Sequence, residues 1–156
     1  MSFDVFLSRF DKGESAEAPR HAVREVLGAT DYSGPDEFGF YLVTFPDGVD
    51  VEFSARGLES EGDFTGCAFH IRGFGSHLVK FILEVARAGN MVMMPAMEGN
   101  PLILVSEHQK ADVPPEALEH LRPVVVNSAN ELEALLTGGF EGWSAYRDQA
   151  VRGQSP

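Results

Sequence analysis

Apolar residues recur at every second position in several short runs of this chain, and at every third or fourth position in others. The first period marks strands and the second marks helices. In 3–10, "FDVFLSRF", Phe3, Val5 and Leu7 alternate with Asp4, Phe6 and Ser8, which predicts a first strand. Pro19 sits where a helix begins, Ala22, Val23, Val26 and Leu27 form a buried stripe, and Gly28 marks the end. "TDYSGPDE" reads as turn chemistry. Strands follow over 38–45, 49–54 and 67–72, the first two joined by a tight Pro46-Asp47-Gly48 turn. Val49, Val51 and Phe53 oppose Asp50, Glu52 and Ser54; Cys67, Phe69 and Ile71 oppose Ala68, His70 and Arg72. One packed face and one wet face predict an antiparallel sheet.

The clearest helix follows Gly73-Phe74-Gly75: Leu78, Phe81, Ile82, Val85 and Ala86 share one stripe, with Ser76 as cap and Gly89-Asn90 as stop. Runs 91–97 and 101–106 predict another hairpin, and Pro95 places the first of them on an edge. A short helix over 114–121 precedes a strand over 123–126. Ser128 and Glu131 form a capping box for a helix bearing Leu132, Leu135 and Leu136, stopped at Gly138-Gly139. Phe140, Trp143 and Tyr146 add a further turn or two on one helical face. The order β-α-β-β-β-α-β-β-α-β-α shows no repeat and no dividing linker. It predicts one α+β domain over 1–150, largely antiparallel with helices packed on one face, and a frayed tail at 151–156.

A length of 156 residues suits one domain with an adequate core. Charge changes the picture most: 24 acidic against 12 basic residues leave a formal net of −12. Such a chain repels nucleic acid and anionic membrane surfaces and attracts a basic protein. The same charge also serves plain solubility. With Cys67 as the lone cysteine, no intrachain disulfide forms, which fits a reducing compartment. The start "MSFDVFLSRFDKGES" has no basic leader, and no apolar run approaches the roughly 18 residues of a membrane span. A cytoplasmic location is expected.

Candidate chemistry is sparse. Gly73-x-Gly75 lacks the third glycine of a dinucleotide fingerprint, and Leu78 stands in its place. A turn between strand and helix explains the glycines; the alternative is an anion site from Arg72, Gly73, Gly75, Ser76 and His77, with Lys80 assisting. His21, His70, His77, His108 and His120 form no ligand-spaced pair, so no metal or other cofactor is assigned. Cys67 lies on the inward side of its strand with no cationic neighbour to activate it, and no catalytic residue is assigned. Asp50, Glu52, Glu59, Glu61 and Asp63 form an acidic hairpin and loop, the expected protein-binding surface. Met91, Met93, Met94 and Met97 fill the core or mark a contact edge through which the chain could form a homo-oligomer.

The opening "MSFDVFL" and the ending "SANELEALLTGGFEGWSAYRDQ", on an acidic α+β chain of this size, resemble small bacterial proteins of the toxin-system immunity type. The resemblance covers about a quarter of the chain and transfers no residue roles. It implies a non-catalytic domain that neutralises a basic toxin by binding it. The competing expectation is a small enzyme or ligand-binding protein built on the anion site.

Overall fold

The computed structural model describes residues 1–60 and 62–153. The chain forms one α+β domain around an eight-stranded, mostly antiparallel sheet. In chain order the elements are β1 (Phe3–Ser8), β2 (Phe10–Asp11), β3 (Glu14–Ser15), α1 (Arg20–Gly28), β4 (Asp31–Ser33), β5 (Phe40–Thr44), β6 (Asp50–Ser54) and β7 (Gly66–Ile71). There follow α2 (Ser76–Gly89), β8 (Val92–Pro95), β9 (Pro101–Leu104), a 3-10 turn at Glu107–Ala111, α3 (Pro115–His120), β10 (Arg122–Val125) and α4 (Ala129–Gly153). The sheet order is β10-β9-β8-β1-β7-β6-β5-β4, and β2 pairs with β3 apart from it. Among the described strands, only β10 runs parallel to its neighbour, β9.

The alternation read along the strands becomes the inner face of this sheet. Phe3, Val5, Leu7, Tyr41, Val43, Val51, Phe53, Phe69 and Ile71 are all buried there. The stripe Leu78, Phe81, Ile82, Val85 and Ala86 lays α2 across them, with α1 and α4 beside it. Phe53 and Phe69 stack at 4.9 Å, and Phe81 meets both rings edge-on at 5.8 and 5.7 Å. Each such ring, fully buried, contributes about 1.5–3 kcal/mol.

The opposite face is covered at one end only. Val92, Leu102 and Leu104 point that way and are buried with Val113, while Phe10, Ala117, Leu118 and Leu121 pack against them. Three helices therefore share the inner face, and α3 with the 3-10 turn caps the outer face over β8, β9 and β10.

Four local expectations are corrected. Segment 31–33, read as a turn, is the edge strand β4, pairing Tyr32 with Val43. β8 is interior, between β1 and β9. Pro95 is tolerated because it is the strand's last residue, opposite Val5 and beyond the Met93–Ile103 pairing with β9. The methionine segment is thus no free edge: Met91 and Met93 are fully buried. Ser76 does not cap α2; Gly75 holds the cap position, without a side-chain hydrogen bond.

The fourth correction is α4, which passes through Gly138-Gly139 without stopping and reaches Gly153, inside the segment expected to fray. Residues 154–156 of that segment lie outside the described residues. Its start is as expected: Ser128 Oγ accepts from the Glu131 N–H, and the Glu131 carboxylate accepts from the Asn127 N–H. Gly139 is a site of close approach rather than a stop. A Cβ there would lie 2.7 Å from Phe3 Cζ and 2.8 Å from Met97 Sδ, whereas one at Gly142 would meet nothing within 4 Å. Gly139→Val should lower stability by about 1–3 kcal/mol, and Gly142→Ala should raise it by about 0.5–1 kcal/mol. Urea unfolding of both variants checks the pair; equal effects would mean that α4 does not approach the sheet at Gly139.

Candidate functional site

Among the described residues, no helix lies on the outer face of β1, β7, β6 and β5. Strand register arranges its side chains in rows across the sheet. One row runs Met94, Phe6, Ala68, Ser54, Phe40. The next runs Asp4, His70, Glu52, Leu42, Ser33. The first row is apolar apart from Ser54; the second holds the charges. Phe6 is 45% exposed, Leu42 43%, and Phe38, just before β5, 61%. Singly such residues are ordinary, but grouped on one open face they mark a contact surface.

Polar groups on this face pair across strands. Asp4 Oδ1 lies 2.9 Å from His70 Nδ1, and Arg72 Nη1 donates to Glu52 Oε1 at 2.9 Å. Phe40 leans on the His70 imidazole, with centroids 5.8 Å apart. Asp4, Phe6 and Phe40 were not assigned from sequence. The alternation did place Asp4 and Phe6 outward, but only the register brings three separate strands together.

The expected acidic set is divided by the fold. Asp50 and Glu52 stand on the outer side of β6. Asp63 lines a neighbouring groove with Phe6, Ser8 and Arg56. Glu59 turns toward the helices, where its carboxylate accepts from the Tyr41 hydroxyl at 3.2 Å and lies 3.7 Å from Arg24 Nε. Glu61 lies outside the described residues. Burial, and then the Glu59 carboxylate, push the Tyr41 hydroxyl's pKa upward.

The second expected set also separates. Arg72 belongs to the outer face through Glu52. His77 instead lines a cleft with Lys80, Glu84, Asp31 and Phe45, between α1, α2 and the end of β5. Between them, Gly75 is pressed against the β5–β6 turn: a Cβ there would come 2.6 Å from Asp47 Oδ2. The chain's own carboxylate thus stands beside the first turn of α2, where an anion would otherwise approach. Phe74 shows what the turn achieves. Its ring stacks on Phe140 at 5.4 Å, Phe140 meets Trp143 at 5.3 Å, and Arg147 lies 4.8 Å over the indole. The Gly-Phe-Gly turn therefore delivers an aromatic anchor to α4.

Cys67 is buried, with Sγ 3.8 Å from Met91 Sδ, and burial pushes its thiol pKa up, away from thiolate chemistry. Among the described residues no cluster of three or more His, Cys, Asp or Glu side chains has metal-binding geometry. Comparison with protein-family models, curated proteins and solved structures finds no match, so the reading of the site rests on its own geometry. A double-mutant cycle of Phe74→Leu and Phe140→Leu should give a coupling of about 0.5–1.5 kcal/mol in unfolding free energy. A coupling near zero would remove the anchoring role from the turn.

Proposed function

We propose that this chain is a non-catalytic, acidic protein-binding domain that docks a basic partner on the open face of its sheet. The observation that carries the reading is the exposure of Phe6, Phe38 and Leu42 on one sheet face beside Asp4, Asp50 and Glu52, on a chain of net charge −12. Exposed apolar rings supply burial, and the carboxylates supply steering and orientation. A second copy of the chain would bring like charge against like, which disfavours self-association through this face.

The resemblance to immunity proteins gives the proposal its specific form. The partner is a basic toxin domain, held in the bacterial cytoplasm and neutralised by masking of its working surface. The described residues include no helix long and apolar enough to cross a membrane. Ligand binding at the start of α2 is the weaker reading, because Asp47 stands there and Arg72 and His77 face different ways.

The test uses the protein that co-purifies with this chain from its native cell. Asp50→Lys with Glu52→Lys should slow association about tenfold or more and flatten its salt dependence. Glu141→Lys, an exposed site on α4 in the helical layer, should leave the rate within about twofold. Stopped-flow association across a salt series reads both; unchanged association after the β6 reversal would overturn the proposal.

A further inference from the structure

We infer that the pocket beside Phe38 and Phe40 is the anchor of the open face and receives an arginine side chain of the docked protein. The inference rests on the docking reading above and names the chemistry of its partner. The pocket, about 630 Å³, opens where the 33–38 loop folds beside β5. Pro35, Phe38, Phe40 and Leu42 form apolar walls, and Asp36 and Glu52 add carboxylates.

Those walls and carboxylates select the occupant. A purely apolar side chain would bury well against the rings but would strip water from the carboxylate oxygens that the chain's own donors to Asp36 Oδ1 and Glu52 Oε1 leave free, which is costly. An ammonium group would pair but holds its own water tightly and gains less from flat rings. A guanidinium satisfies both demands: it is planar, weakly hydrated, stacks on aromatic faces and donates to carboxylates in a fixed fork. The face already shows the polar half of this contact, since Arg72 donates to Glu52 at 2.9 Å. Both side chains of that pair are about half exposed, so it is a weak, exchangeable pairing that leaves Glu52 able to accept from a newcomer. The chain shows the stacking half elsewhere, with Arg147 over the Trp143 ring at 4.8 Å.

The pocket is formed before anything binds. Asp36 Oδ1 accepts from the N–H groups of both Phe38 and Phe40 at 2.9 Å, and the Asp36 N–H donates to the Phe40 carbonyl at 3.0 Å. These bonds hold Phe38 out in solvent beside β5, so little ordering remains for binding to impose. The net charge of −12 favours a cationic occupant from another protein over a second acidic copy of this chain.

The full-length chain, labelled with nitrogen-15, should be titrated with the peptide acetyl-Gly-Arg-Gly-amide and with its citrulline counterpart, which keeps the shape and lacks the charge. The arginine peptide should give saturable shifts at the amides of Phe38–Leu42 and Glu52, and the citrulline peptide should bind at least about tenfold more weakly. Phe38→Ala should weaken the arginine peptide about fivefold while leaving the thermal midpoint unchanged, because its ring is not in the core. Equal binding of the two peptides, indifference to Phe38→Ala, or no saturable shift at this pocket would overturn the arginine anchor. A concentration-dependent dimer whose contacts include Phe38 would overturn it in favour of a second copy. Failure here with intact charge-dependent association in the Asp50 and Glu52 experiment would sink the anchor and spare the docking reading; failure of both would sink the two together.

Discussion

The ring of Phe81 on α2, set edge-on against Phe53 and Phe69, is the contact on which the remainder of the molecule depends. It joins the apolar stripe of α2 to the sheet, and Phe45, just past the end of β5, meets the same ring at 5.7 Å. With α2 seated there, α1 and α4 both pack against it, and the three helices hold the inner face. Strand alternation then sends every intervening side chain to the other side. The composition of the outer face follows from the packing of the inner one, and a one-residue slip in β6 or β7 would exchange the two.

That outer face is unequal along its width. Over β8, β9 and β10 the outward residues are Val92, Leu102, Leu104 and Val125, and α3 with the 3-10 turn covers them. Over β1, β7, β6 and β5 they are a mixture of Phe, Ala, Leu, Ser, His and acids, and no helix among the described residues packs on them. A fully apolar surface demands a lid within the chain; a surface that alternates rings with carboxylates survives in water and can still bury area in a complex. The docking proposal follows from this difference between the two ends of one sheet.

Much of the architecture was legible in residue order. Period-two runs located β1, β5, β6 and β7, and the stripe from Leu78 to Ala86 located α2, because local patterning decides which residues face a core. Three features were hidden. Pro95 and Gly139 were misread because each carries a tertiary role, the end of an interior strand and a close helix–sheet approach, which resembles a local breaker in sequence. The meeting of Asp4, His70 and Glu52 depends on pairing between strands far apart in the chain, and spacing carries no trace of it. Charge count pointed to an acidic surface, but only the fold shows Glu59 turning away to Tyr41 and Arg24 while Asp50 and Glu52 remain outward.

Oxidative footprinting of the chain, alone and bound to its native partner, tests the central claim most directly. Hydroxyl radicals modify exposed aromatic side chains, so the open face reports through Phe6 and Phe38, and the helical side through Tyr146. The account predicts that complex formation protects Phe6 and Phe38 and leaves Tyr146 as reactive as before. Protection confined to Tyr146 and the helical layer, with Phe6 and Phe38 unchanged, would contradict it.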